Sequence, residues 1–177
     1  MRPGMTTAYR FLELQDQKSR EHRARRMAKL VKVIQMPRHG FLMHGAEVTS
    51  TGFEEARLAY VNGLYLSCIM VSLLVVERHI AGLLYGAGYE PAKEARAIDL
   101  VKEASKRALL NNRQMKNIER LRKIRNDYAH FRGFNRTDSN FRRSVELRLA
   151  PFLILAKDAT LSLQVMAEVM NQTAALR

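Results

Sequence analysis

Three side chains in one late stretch of the chain have the types and spacing for phosphate chemistry: Arg125, Asn126 and His130. A guanidinium carries a permanent charge and a planar fork of donors that matches phosphate oxygens. An imidazole, with an unperturbed pKa of about 6.5, gives and takes a proton near neutrality. An amide can orient either neighbour or donate a hydrogen bond of its own. Together they can offer a fixed cation, an amide and an imidazole to one groove, a set that permits proton transfer beside a bound phosphate.

The element that must position these groups is a helix. Ile118, Leu121, Ile124, Tyr128 and Phe131 recur at spacings of three and four and mark one helical face. Arg125 falls inside that apolar arc, where a leucine would pack better, and such a break in the local pattern is a place to look for function. Asn126 and His130, four residues apart, are expected to share a face at the border of the arc, with Arg125 bending toward it. Gly133 is expected to stop the helix. Asp127 and Tyr128 are expected to support the three groups, and Arg122, Lys123 and Arg132 to touch RNA beside them. Glu77, at the end of a buried apolar helix, is expected either to pair with Arg125 and hold it in place or to stay an exposed acid in an arginine-rich neighbourhood. A plainer reading also fits the spacing: a snorkelling arginine, a surface amide and a helix-end histidine.

The run Arg125-Asn126-Asp127-Tyr128-Ala129-His130, late in a helix that follows a long apolar one, resembles the signature of the HEPN superfamily. That signature is an arginine, four to six residues and a histidine, often with a polar residue directly after the arginine. The resemblance extends over about residues 50–175 in helix order, and it rests on three identifying residues. It implies an all-α fold and a metal-independent endoribonuclease, with no metal and no cofactor, in which the ribose 2′-hydroxyl attacks the adjacent phosphorus and leaves a 2′,3′-cyclic phosphate. It also implies a homodimer in which two motifs face each other, because one histidine cannot easily serve as base and acid at both ends of the reaction. Arg125 would then stabilise the phosphorane and His130 move the proton, with Asn126 orienting it. The superfamily also holds modules that bind nucleotides or nucleic acid without cutting, and halves of toxin–antitoxin or antiviral systems. A cognate antitoxin or another protein partner therefore stands beside RNA among the expected partners, and a regulator acting through such a partner is a third functional class.

Charge agrees with a polyanionic partner. Thirty Lys and Arg against 17 Asp and Glu give a formal net charge of +13 and a pI near 10.4, which favours nucleic acid before membrane. The lone cysteine, Cys68, sits in an apolar run; it excludes a disulfide framework within the chain and any cysteine cluster, and suits a reducing cytoplasm. The opening residues lack the apolar segment of a signal peptide, so a cytoplasmic location is expected.

The chain of 177 residues reads as one all-α domain, a bundle of four to five helices over residues 49–177 with a basic helical extension over residues 1–48. The extension is predicted helical over 9–35, and Arg23 and Arg26 in its basic middle are candidate RNA contacts. Pro37 is expected to end it. His39, His44 and Glu47 in the following linker amount to a loop pair without a third well-spaced ligand and make a poor metal site. Thr51-Gly52-Phe53-Glu54 matches a capping box and is expected to start one long helix running to about Tyr85. Its 13-residue apolar run from Leu64 to Val76 falls short of the roughly 20 residues needed to cross a bilayer. Gly86 to Gly88 reads as a helix stop, with no nucleotide-loop sequence after it. Pro91 is expected to open a third helix through about Leu110, Asn111 or Asn112 to cap the motif helix, and Pro151 to begin the last helix, to about Asn171.

Overall fold

The computed structural model describes residues 3–35, 40, 42–130 and 140–174. These form an all-α bundle of α1 (Pro3–Ile34), α2 (Ala46–Asn62), α3 (Tyr65–Gly86), α4 (Ala97–Lys106), α5 (Asn112–Ala129), α6 (Asn140–Glu146) and α7 (Pro151–Ala174). A single 3-10 turn, Glu90–Lys93, precedes α4. The all-α expectation is met, and no strand occurs among the described residues.

At the centre lies α3, whose Cys68, Ile69, Leu73, Val75, Val76, Ile80 and Leu84 are all buried. It packs against α2, α4, α5 and α7. With 22 residues it is long and apolar enough to cross a membrane, although 44% of its most apolar window is buried inside the bundle. The expectation of one helix from Thr51 to Tyr85 is corrected: the chain turns back at Gly63. Gly63 adopts φ 78°, a left-handed conformation that only glycine takes at no steric penalty. Its N–H donates to the Tyr60 carbonyl (3.0 Å) and that of Leu64 to the Ala59 carbonyl (2.8 Å), the paired bonds that close a helix end. The expected capping box at Thr51 is also overturned. Helix α2 already starts at Ala46, so Thr51 and Glu54 lie within it.

The hairpin of α2 and α3 is unusually close at its open end. A Cβ on Gly82 would lie 2.2 Å from the Gly45 backbone nitrogen, so only glycine permits this approach. The expected third helix from Pro91 to Leu110 is shorter in fact, since Pro91 sits in the 3-10 turn and α4 runs only from Ala97 to Lys106. Its buried positions are Leu100 and Ala104, whereas Ile98 is exposed.

Helix α1 starts earlier than expected and joins the bundle only in its last turns, through buried Leu30 and Ile34. Most of residues 6–25 are exposed. Pro37 lies outside the described residues.

Helix α5 has the expected cap. The Asn111 side chain accepts from the Gln114 N–H and the Gln114 side chain from the Asn111 N–H, both at 3.0 Å. Ile118, Leu121 and Ile124 are buried, as their period requires. Helix α7 runs antiparallel to α5: Asn117 donates to Glu168 (2.8 Å) near one end and Tyr128 to Asp158 (2.9 Å) near the other.

Candidate active site

The motif occupies the last turns of α5. Helical hydrogen bonding ends at Ala129, and His130 is the first residue beyond it, with extended backbone (φ −118°, ψ 137°). Its N–H still donates to the Asn126 carbonyl at 3.1 Å. The expected shared helical face of Asn126 and His130 is therefore corrected: His130 is a cap residue, and its side chain leaves the helix where the backbone turns extended. It is exposed, while Arg125 and Asn126 are partly exposed. Gly133, the expected stop, and Arg132 and Phe131 lie outside the described residues.

Glu77 reaches the motif from α3. One Glu77 oxygen, Oε1, lies 4.0 Å from an Arg125 terminal nitrogen, an ion pair without a hydrogen bond. Oε1 is buried and accepts no hydrogen bond from the described residues. Burial pushes the Glu77 carboxyl above its ordinary range, and the Arg125 and then the Arg122 charge pull it back. Arg122 itself is engaged along its own helix, with two bonds to Glu119 at 2.8 and 2.9 Å. Lys123 is exposed.

Tyr128 is turned toward α7. Its hydroxyl donates to Asp158 Oδ2 at 2.9 Å, and Arg143 of α6 binds the same carboxylate with both terminal nitrogens, at 2.7 and 2.8 Å. The Asp158 side chain is 4% exposed and that of Arg143 31%. Burial and then the Asp158 charge raise the Tyr128 phenol above its usual range, and the bond to Asp158 keeps Arg143 charged. Asp127, partly buried, adds its charge to both Tyr128 and Arg143. This triad ties the end of α5 to α6 and α7, so Tyr128 holds the motif turn in place. Sequence reasoning missed Asp158 and Arg143. The available signal was a carboxylate among Leu153, Leu155, Leu161 and Leu163, which needs a cation or a donor once buried.

The candidate RNA contacts of α1 have other engagements. Arg26 Nε donates to the Val61 carbonyl at 2.6 Å, and its guanidinium lies over Gly63, so it braces the α2–α3 turn. Arg23 pairs with Asp16 one face along α1.

Near the linker, the His44 N–H donates to Nδ1 of the fully buried His79 at 3.1 Å, with the two rings 5.4 Å apart. No group of three metal-ligating side chains forms among the described residues, and His39 lies outside them. Cys68 is buried, and burial pushes its thiol up to about 11, which leaves it unreactive at neutral pH.

Comparison with known protein families, characterised proteins and solved structures finds no match to this chain. The reading of the site rests on its own chemistry.

Proposed function

We propose that the protein is a metal-independent endoribonuclease whose reacting groups are Arg125 and His130. The observation that carries this reading is the motif turn itself. An arginine beside the Glu77 carboxylate and an exposed histidine emerge together from one helix end, which a triad centred on the buried Asp158 anchors to two other helices. His130 takes the 2′-hydroxyl proton or returns one to the leaving 5′-oxygen, Arg125 binds the equatorial phosphate oxygens, and Glu77 restrains the arginine. The net charge of +13 brings the polyanion to this surface.

The second proton-transfer group comes from a second copy of the chain. Phe141, Val145, Leu147, Phe152 and Leu153 are all exposed at the corner between α6 and α7, beside the triad. Such a cluster of large apolar side chains favours a partner surface. The outer face of α5 carries Lys116, Arg120 and Lys123, whose like charges oppose close pairing but suit the walls of an RNA cleft. An isologous dimer formed through the apolar corner places two motifs on one cleft.

The test is incubation of single-stranded RNA with the protein in EDTA, beside the Arg125→Ala and His130→Ala variants. Products ending in 2′,3′-cyclic phosphate are expected from the wild type alone, with all three proteins folded and dimeric in sedimentation. Cleavage that survives both substitutions, or that depends on added Mg²⁺, overturns the proposal. Tight RNA binding with a steep salt dependence and no product would instead identify a binding module.

A further inference from the structure

Beside the motif, α3, α4 and α5 enclose a slot of about 200 Å³. Leu73, Ile98, Val101, Met115 and Ile118 supply its apolar walls, and Glu77, Lys102, Glu119 and Arg122 join the lining. Sites for whole drug-sized ligands run to ~300–1,000 Å³, so this volume suits one flat ring system. Of the polar groups at the slot, Lys102 borders it from α4 without an ion pair to Glu77 among the described residues, and Glu119 and Arg122 satisfy each other with two hydrogen bonds. Glu77 is different: among the described residues its buried Oε1 has no hydrogen-bond donor, and the nearest cation stands 4.0 Å away. The slot therefore asks for an apolar ring carrying N–H donors, presented from a polyanion next to Arg125.

A carboxylate only accepts, and it accepts best from two parallel donors. Among the RNA bases, guanine alone offers two neighbouring donors on its Watson–Crick edge, N1–H and the exocyclic amino group. Adenine and cytosine set an acceptor nitrogen beside their amino group, and uracil flanks its single N–H with carbonyls. Proteins that read single-stranded RNA commonly take splayed bases into such apolar slots and read these edges.

We propose that this slot holds an unstacked guanine next to the scissile linkage, with Glu77 accepting from its N1–H and amino group, so that the enzyme cuts preferentially beside guanosine. This specificity rests on the ribonuclease reading above. Glu77 then bridges two tasks, one oxygen toward Arg125 and the pair toward the base, which couples guanine binding to the arginine that meets the phosphate.

The test uses two oligoribonucleotides identical except that one guanosine is replaced by inosine, which keeps N1–H and lacks the amino group. Wild type is expected to cut the guanosine substrate about 10- to 100-fold faster, the discrimination a good bidentate pair provides. In Glu77→Gln the guanosine-to-inosine ratio is expected to shrink several-fold, whatever happens to the absolute rate. An equal ratio in both proteins, or no guanosine preference in wild type, overturns the inference and leaves the slot as packing space. Failure of the nuclease reading is separable. If neither substrate is cut, fluorescence anisotropy of the same two oligonucleotides with wild type and Glu77→Gln reads the preference as affinity. A preference abolished by the substitution supports the slot, and equal affinities sink it.

Discussion

Replacing Asp158 by alanine removes the acceptor that Tyr128 and Arg143 share, and the size of the effect follows from their burial. A fully buried ion pair broken on one side costs ~3–5 kcal/mol, because a charge is left without compensation. An exposed pair contributes only ~0–1 kcal/mol. Asp158 is enclosed, but about a third of Arg143 remains open to water, so the stranded guanidinium can rehydrate and the loss lies between these limits. The Tyr128 hydroxyl, part-buried and bonded to a charged oxygen, adds ~1 kcal/mol or more when orphaned. Asp158→Ala is therefore expected to lose ~2–4 kcal/mol of unfolding free energy in urea titrations, and Tyr128→Phe ~1 kcal/mol. Since the triad tethers the end of α5, Asp158→Asn should also slow RNA cleavage at a temperature where both proteins are fully folded. An Asp158→Ala protein within ~0.5 kcal/mol of wild type would refute the energetic reasoning. A destabilised variant with undiminished cleavage would refute the positioning role.

Other expectations come from other parts of the bundle. Burial and then the neighbouring His44 push His79 from 6.5 down to about 4. The folded state thus binds fewer protons than the unfolded one, so this contribution is whole above pH 6.5 and is lost as pH falls toward 4, amounting to ~3 kcal/mol; His79→Gln should flatten the pH dependence of the urea midpoint in that window. Gly82→Ala drives a methyl against the Gly45 backbone nitrogen and should cost at least ~1–3 kcal/mol, seen as a lowered melting temperature. Arg26→Ala removes the bond to the Val61 carbonyl and should lower stability by ~1–2 kcal/mol while leaving the salt dependence of RNA binding unchanged; a slope reduced by about one would assign Arg26 to a phosphate instead.

Periodicity and punctuation in the sequence were sufficient for the helices whose ends are locally encoded. Asn111 with Gln114 caps α5, Pro151 opens α7, and Ile118, Leu121 and Ile124 point inward because a helix repeats every 3.6 residues. The motif could be read as well, since Arg125 and His130 stand out by type and spacing. The break at Gly63 was hidden because the residues on both sides are helical in preference, and a single glycine is compatible with a continuous helix; its left-handed φ emerges only when α2 and α3 pack face to face. The capping-box pattern at Thr51 misled for a related reason, as four residues match it by chance inside a helix whose start is set elsewhere.

What the sequence alone determined is the helical class, the basic character and the clustering of Arg125, Asn126 and His130 at one helix end, all properties of residue type and short-range order. Which side chains stand behind those groups was decided by the tertiary structure. Asp158 meets Tyr128 across 30 residues and Arg143 across 15, and Glu77 comes to Arg125 from a different helix. Such partners are chosen by the packing of α3, α6 and α7 around α5. No local period records which distant carboxylate will be enclosed beside which cation.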